Sequence, residues 1–487
     1  MAKLQITGKE LRAIGFPEGP VISVAINTME KNFKHLAHED AMEVLRAIVQ
    51  SPNEYANDPV LGKIAEGLLP KPKREGDILE LKPQGVHFDV FGRDFIEPGA
   101  LAQMHTAAKL PVAVAGALMP DAHSGYGLPI GGVLATENAV IPYGVGVDIG
   151  CRMCLSVFDI NPEELVSRTA YFTRELNEAT LFGAGGQFDK PSDHEVLTRK
   201  EFDELALLKG LQDRAWRQLG SSGSGNHFVE FGIVDLTDEH HAIDVNGLGL
   251  KPGKYLGLLS HSGSRALGAN IANHYTKVAK ELRRLPTEAQ NLAWLRLDEQ
   301  EGAEYWMAMN LAGDYASACH HIIHEKIARQ LRAQPLLMVE NHHNFAWKER
   351  HEGRELIVHR KGATPAGKDV LGIIPGSMTA PGFIVKGKGE PASLNSASHG
   401  AGRRMSRTAA LNTVTHKDLD HLLAHHGVKL LGGGLDEAPM AYKDIYQVMN
   451  AQKHLVEAVG LFHPKIVKMD GAVPKQWKKK GKQILGQ

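Results

Sequence analysis

Four short apolar runs in this chain end on, or grow out of, clusters of ion-binding residues. Leu258-Leu259-Ser260 runs into His261-Ser262-Gly263-Ser264-Arg265, and Leu336-Leu337-Met338-Val339 into Glu340-Asn341-His342-His343-Asn344. Leu356-Ile357-Val358 runs into His359-Arg360-Lys361-Gly362, and Asn226-His227-Phe228-Val229-Glu230 leaves a Gly/Ser loop at 219–225. Short apolar runs bounded by turn residues read as buried strands. A lone histidine at a strand end is usually structural, but several on separate segments point to a shared site, which suits metal or proton chemistry.

A second constraint is Ser396-Ala397-Ser398-His399-Gly400-Ala401-Gly402-Arg403-Arg404-Met405-Ser406-Arg407. Glycines at 400 and 402 let the backbone pass close to a ligand. A helix starting there would aim free N–H groups at an anion, and arginine forks suit phosphate. One reading is a phosphate-handling loop with His399 placed to attack. The other is a tight turn, a satisfied histidine and an exposed basic helix.

Residues 1–77 look separate, as an N-terminal helical accessory segment. Met42, Leu45, Ile48 and Val49 share a helical face with Asp40 as cap, and Asn57-Asp58-Pro59 opens a helix carrying Leu61, Ile64 and Leu68. Pro70-Lys71-Pro72-Lys73-Arg74 reads as a linker. Residues 78–471 form the catalytic domain and 472–487 a basic tail. That tail contains Trp477-Lys478-Lys479-Lys480, a solvated run or a base-stacking one. A net charge of −1 argues against indiscriminate nucleic-acid coating and leaves room for a local basic groove. Three cysteines fit a reducing compartment. With no secretory h-region and no run long enough for a bilayer, the expected location is cytoplasmic, without a membrane.

Within the catalytic region Val86, Phe88 and Val90 alternate as a strand, as do Met153, Leu155 and Val157. Residues 119–127 read as a loop rich in ligands. Cys151 and Cys154 fall on opposite faces of a strand, so Cys154 belongs in the core. Leu311, Tyr315, Cys319, Ile323, Ile327 and Leu331 make a helical stripe, with Cys319 a packed thiol and His320, His321 and His324 solvated. Ile445, Val448, Met449, Gln452, Leu455, Val456 and Val459 suggest a second long helix with Pro439 in its first turn.

The candidate ligands are Asp148, Cys151, His227, His261 and His343. A thiolate, a carboxylate and imidazoles suit Zn, Mn, Fe or Co rather than Mg or Ca. Five ligands exceed one structural zinc, and a thiolate can bridge two ions of the kind that assist phosphoryl transfer. Spacing alone supports metal-dependent phosphoryl or nucleotidyl transfer.

Together these pieces resemble the RtcB family, the GTP- and manganese-dependent RNA-splicing ligases. The matching motifs are Pro120-Asp121-Ala122-His123, Gly146-Val147-Asp148-Ile149-Gly150-Cys151, Gly225-Asn226-His227-Phe228-Val229-Glu230 and His261-Ser262-Gly263-Ser264-Arg265. His343-Asn344, Arg360-Lys361-Gly362-Ala363, Ile374-Pro375-Gly376-Ser377-Met378, Ser398-His399-Gly400-Ala401-Gly402-Arg403 and Asp436-Glu437-Ala438-Pro439 follow in family order.

The resemblance implies an α/β fold around a central two-metal cleft. It implies that His399 takes GMP from GTP, with Asp121 as a further catalytic residue. Asp148, Cys151 and His227 would hold one Mn²⁺, and Cys151, His261 and His343 the other. Asn226, His227, Phe228, Val229, Glu230, His343, Asn344, Pro375, Gly376, Ser377, Met378, Gly382, His399, Gly400, Ala401 and Gly402 would surround the nucleotide. Arg265, Arg403 and Arg407 would meet RNA. Gly382 stands where the family often has a serine. Asp470 stands where it carries a guanine-contacting lysine, so Asp470 or Lys468 is expected at the base. The implied reaction joins an RNA 3′-phosphate or 2′,3′-cyclic phosphate end to a 5′-hydroxyl end. The alternative is an RNA-end phosphodiesterase or capping guanylyltransferase that stops before ligation. An archease-type activator is a candidate partner.

Overall fold

Seven strands of an eight-stranded sheet pair antiparallel in the order Pro335–His342, Arg152–Phe158, Lys254–Ser262, Phe228–Asp235, Val456–Met469, Gly382–Gly387, Leu371–Ile374, and Lys429–Leu430 adds to Val456–Met469 in parallel. The computed structural model describes residues 4, 6–17, 20–56, 58–69, 78–237, 244–245 and 248–471. The two outer strands of this sheet approach each other, and Asn341 stitches them as a strand would. Its Nδ2 donates to Ile373 O at 3.2 Å and its Oδ1 accepts Ile373 N–H at 2.8 Å. The sheet is thereby nearly closed, which removes most of its exposed edge. Every residue of Arg152–Phe158 is buried, so the strand is covered on both faces rather than half-wet.

A second sheet orders Phe88–Val90, Ala113–His123, Ile130–Thr136, Arg354–Lys361 and Asn344–His351. Its strand Ala113–His123 runs through Asp121, so the first part of the stretch expected as a loop at 119–127 is extended, and 119–122 are buried. Helix Gln300–Leu331 carries the expected apolar stripe, with Cys319 fully buried. The same helix corrects another expectation. His320 and His324 are 0% and 1% exposed, and His321 is half-buried on Glu340, because polar groups of the strands beneath receive them.

Two helices are shorter than their apolar spacing suggests. The helix at Ile445–Ala451 stops where Gln452 turns inward and accepts Ser398 N–H through Oε1 at 2.9 Å. Leu455 follows in the turn, and Val456 and Val459 lie on a long strand whose sheet pairing outweighs the helical spacing. Pro439 belongs to a separate single turn, Pro439–Ala441. The helix after His399 begins only at Arg407, capped by Ser406, so residues 400–406 are an irregular loop and this helix does not start at His399.

The chain folds as two compact units, residues 1–77 and 78–487. The first unit packs Leu11, Ala25, Met29, Leu45, Ile48 and Ile64 at its core. Thr7 and Glu10 form a capping box. Helix His38–Gln50 starts at Ala37, with Asp40 inside its first turn rather than at the cap. Asp58 caps the turn before helix Gly62–Leu68 by accepting the N–H groups of Val60 and Leu61. Asn57 and the basic stretches at 70–74 and 475–482 lie outside the described residues. No helix among the described residues is long and apolar enough to cross a membrane.

Candidate active site

Sheet register gathers the ligand candidates. Arg152 pairs with His342 on one side and Ser262 on the other, and Phe228 pairs with His261. Cys151, His227, His261 and His343 therefore sit at neighbouring strand ends about 5 Å apart. The turn after helix Pro142–Val145 adds Asp148. Cys151 Sγ lies 3.4 Å from His227 Nε2 and 3.2 Å from His261 Nε2. His261 Nε2 lies 3.2 Å from His343 Nε2, and His227 Nε2 lies 3.0 Å from Asp148 Oδ2.

These contacts test whether the residues fit a metal. His261 Nδ1 faces the carbonyl of Asn226 at 3.0 Å, so Nδ1 carries the proton and Nε2 turns a lone pair toward the thiol. Among the described residues, buried His343 has no hydrogen-bond partner at Nδ1. Burial pushes the Cys151 thiol up, and Asp148 adds to it, while burial pulls His261 down to about 3. Burial opposes ionisation of Asp148, yet the His227 hydrogen bond and Arg265 hold its carboxyl below the usual range. A thiol, the Nε2 lone pair of His261, two further imidazoles and a carboxylate packed this closely out of water fit divalent metal, whose charge would ionise the thiol.

Arg265 does not present a free fork. Its Nη2 donates to His227 Nδ1 at 2.9 Å and its Nε to Gly263 O at 3.1 Å. The guanidinium lies over Gly223, where a Cβ would fall 1.1 Å from Nη1. Only glycine leaves room for it there.

A cavity of about 690 Å³ opens beside these ligands. Asn226, Phe228, Glu230, His343, residues 375–378, Gly382 and residues 399–402 line it, along with Arg403 and Arg407. Val229 faces the opposite side of its strand, among Phe172, Phe231 and Ile466, and offers its side chain to core rather than to a nucleotide. Asn344 lies outside the lining and its Oδ1 accepts Gly362 N–H. Glu230 is buried, no donor among the described residues reaches its carboxyl, and burial raises its pKa well above the ordinary value. Cavity walls at Glu97, Met153, Leu259, Tyr442 and Met469 are not among the expected site residues and arrive by packing, while Tyr126 comes from the expected ligand-rich stretch at 119–127.

Neither Asp470 nor Lys468 lines the cavity. Alternation on the last strand gives Val467 and Met469 to the wall and turns Lys468 toward the carbonyls of Leu176 and Thr180. Arg403 donates to Asp436 O and Met405 O, and Arg407 pairs with Asp436 and Glu437. These two arginines are partly held by the wall, while both still line the cavity and Arg403 Nη1 makes no hydrogen bond among the described residues. His359, the remaining strand-end histidine, is a core residue that bridges Leu134 O and Ile141 N.

His399 follows strand Ser396–Ser398 and lies with its ring centroid 5.0 Å from that of His343. Its Nδ1 is 2.6 Å from Asp121 Oδ2. Lys443 steadies Asp121 by donating to Pro120 O and Ala122 O. Burial opposes ionisation of Asp121, and His399 more than offsets it, leaving that carboxyl below the usual range.

Comparisons with known proteins show the family to which the chain belongs. A family model described as "tRNA-splicing ligase RtcB" matches residues 103–210 and 199–470. The chain is 33% identical to "RNA-splicing ligase RtcB" of Escherichia coli K12, over 75% of this chain and 92% of that protein. It is 32% identical to the Mycobacterium tuberculosis protein of the same name, over 72% and 95%. It is 28% identical to "tRNA-splicing ligase RtcB" of Methanococcus maripaludis, over 79% and 94%. With the matched span containing every ligand candidate and His399, the chain belongs to the RtcB family.

Proposed function

We propose that this protein is an RNA ligase that joins a 3′-phosphate or 2′,3′-cyclic phosphate end to a 5′-hydroxyl end, using GTP. Family membership and the names of its relatives support the RNA-ligase class. The observation that carries the mechanism is the pairing of His399 with buried Asp121 at the edge of the cavity.

A carboxylate only accepts, so His399 Nδ1 holds the proton and Nε2 keeps its lone pair. That nitrogen attacks the α-phosphorus of GTP, a P–N bond forms, and pyrophosphate leaves with the bonding electrons. Asp121 stabilises the positive charge that develops on the ring. A 2′,3′-cyclic end is first opened by water, which breaks the bond to the 2′ oxygen and leaves a 3′-phosphate. That 3′-phosphate takes GMP as the P–N bond to His399 breaks, and the 5′-hydroxyl finally displaces GMP as the 3′,5′ bond forms. Guanylylation supplies the leaving group that a bare 3′-phosphate lacks. Asp148, Cys151 and His227, and Cys151, His261 and His343, would hold two Mn²⁺, which would supply charge neutralisation at phosphoryl oxygens. Glu230 and the backbone at 375–378 and 400–402 would receive the guanylate.

Incubation with Mn²⁺ and α-labelled GTP, followed by denaturing gel, tests this reading. A labelled protein band that disappears on adding RNA with a 3′-phosphate and a 5′-hydroxyl, with joined product, supports it. Labelled protein with capped but unjoined RNA supports the capping alternative.

A further inference from the structure

Behind the strands that carry the metal ligands lies a second buried polar group. Helix Gln300–Leu331 presents Gly313, Ser317, His320 and His324 at i, i+4, i+7 and i+11, a single helical face. That face packs on the strands Arg152–Phe158 and Lys254–Ser262. Alternation sends His261 to the metal side, and Ser260 and Ser262 to the helix side. Both histidines are fully buried, and burial holds His320 well below the ordinary value and His324 at about 3, so both rings are neutral.

The hydrogen bonds here run one way. Ser262 O accepts only, so His320 Nε2, at 3.2 Å, must donate. His320 Nδ1 then accepts from Ser260 Oγ at 2.6 Å. Ser260 Oγ, its proton committed, accepts from His324 Nε2 at 2.7 Å. His324 Nδ1 in turn accepts from Ser156 Oγ at 2.7 Å. Each ring is fixed in one tautomer by its neighbours, and each donor is used.

Cys154, His320 and His324 also place ligand atoms within 4.8 Å of one another. The arrangement does not converge on an ion. Cys154 Sγ approaches His324 at Nδ1, 3.9 Å away, whereas Ser260 and His320 lie off the opposite nitrogen. No ring nitrogen of the pair is left over for a metal.

We propose that His320 and His324 are positioning residues for the metal centre: the relay Ser156–His324–Ser260–His320–Ser262 pins the backbone on both sides of His261 to the long helix. This rests on the reading of His261 as a metal ligand. Partners that orient metal ligands typically carry 10–100-fold in affinity. Here the orientation passes through backbone, because Ser260 and Ser262 flank the ligand.

The test is Mn²⁺ titration calorimetry on full-length, metal-stripped protein, with denaturant unfolding of the same samples. His320→Leu and Ser260→Ala are expected to weaken Mn²⁺ binding about 10–100-fold while the metal-free chain stays folded. His320→Gln, which restores an N–H toward Ser262 O, is expected to regain part of the loss. Unchanged Mn²⁺ affinity in folded Ser260→Ala, with only the unfolding midpoint lowered, would overturn the proposal. If His320→Leu does not fold, Ser260→Ala decides alone by the same criterion. Two Mn²⁺ still bound per chain in His261→Ala would overturn the reading of His261 as a ligand, a distinct result.

Discussion

Asp121 Oδ2 accepts three hydrogen bonds from one short segment: His399 Nδ1–H at 2.6 Å, His399 N–H at 3.1 Å and Gly400 N–H at 3.4 Å. One carboxylate oxygen therefore fixes both the ring and the backbone of His399. Gly402, at φ +73°, lets this loop close on the strand, since a Cβ there would fall 2.1 Å from Asp121 O. Asp121→Asn keeps an oxygen in place but removes the charge that stabilises the ring, and adduct formation should slow about 100-fold. His399→Ala should abolish the labelled protein band with Mn²⁺ binding retained, which calorimetry checks.

Cys151→Ala should be worse for metal content than loss of any one histidine. Its sulfur lies within 3.4 Å of His227 Nε2 on one side and 3.2 Å of His261 Nε2 on the other. Removing it takes a charged ligand from both groups. Elemental analysis should find well under two ions per chain, and a variant holding two would contradict a shared thiolate.

Glu230→Gln should stabilise the protein at alkaline but not at acid pH. Burial raises the folded pKa of Glu230 above the ordinary 4.5. The folded state thus binds this proton more tightly than the unfolded one. The ionisation penalty is absent below about 4.5 and grows as pH rises toward the folded value. At about pH 8 the amide should gain roughly 1–3 kcal/mol, read as a higher urea midpoint, and near pH 4 the two proteins should coincide.

Arg360→Met should cost about 3 kcal/mol or more, because it strands a partner in a buried pair. Arg360 is 1% exposed at its side chain, pairs with Glu349, reaches Ser396 Oγ at 2.7 Å and lies over Trp347. Ser396 begins the strand that leads to His399. Chemical denaturation measures the loss.

Ligand candidates at strand ends were legible because an apolar run followed by His or Cys carries both halves of the message. His261 could be read that way. His320 and His324 could not, since a histidine on a helix is wet or dry according to what packs on it, and Ser156 and Ser260 come from distant strands. Val456 and Val459 fit a helical stripe as well as a strand, and only pairing with Phe228–Asp235 and Gly382–Gly387 decides. Arg403 and Arg407 looked open because their partners, Asp436 and Glu437, lie some thirty residues away.

The last strand, Val456–Met469, fits between two strands made earlier in the chain, Phe228–Asp235 and Gly382–Gly387. On a ribosome, His343 is therefore made about 6–25 s before that strand is complete, at ordinary elongation rates. During that interval the nascent chain carries all five ligand candidates but an open sheet edge, a template for pairing with neighbouring chains. The yield of native protein thus depends on elongation speed as well as on stability. Pausing over the final quarter of the message would lengthen the exposure and favour aggregation.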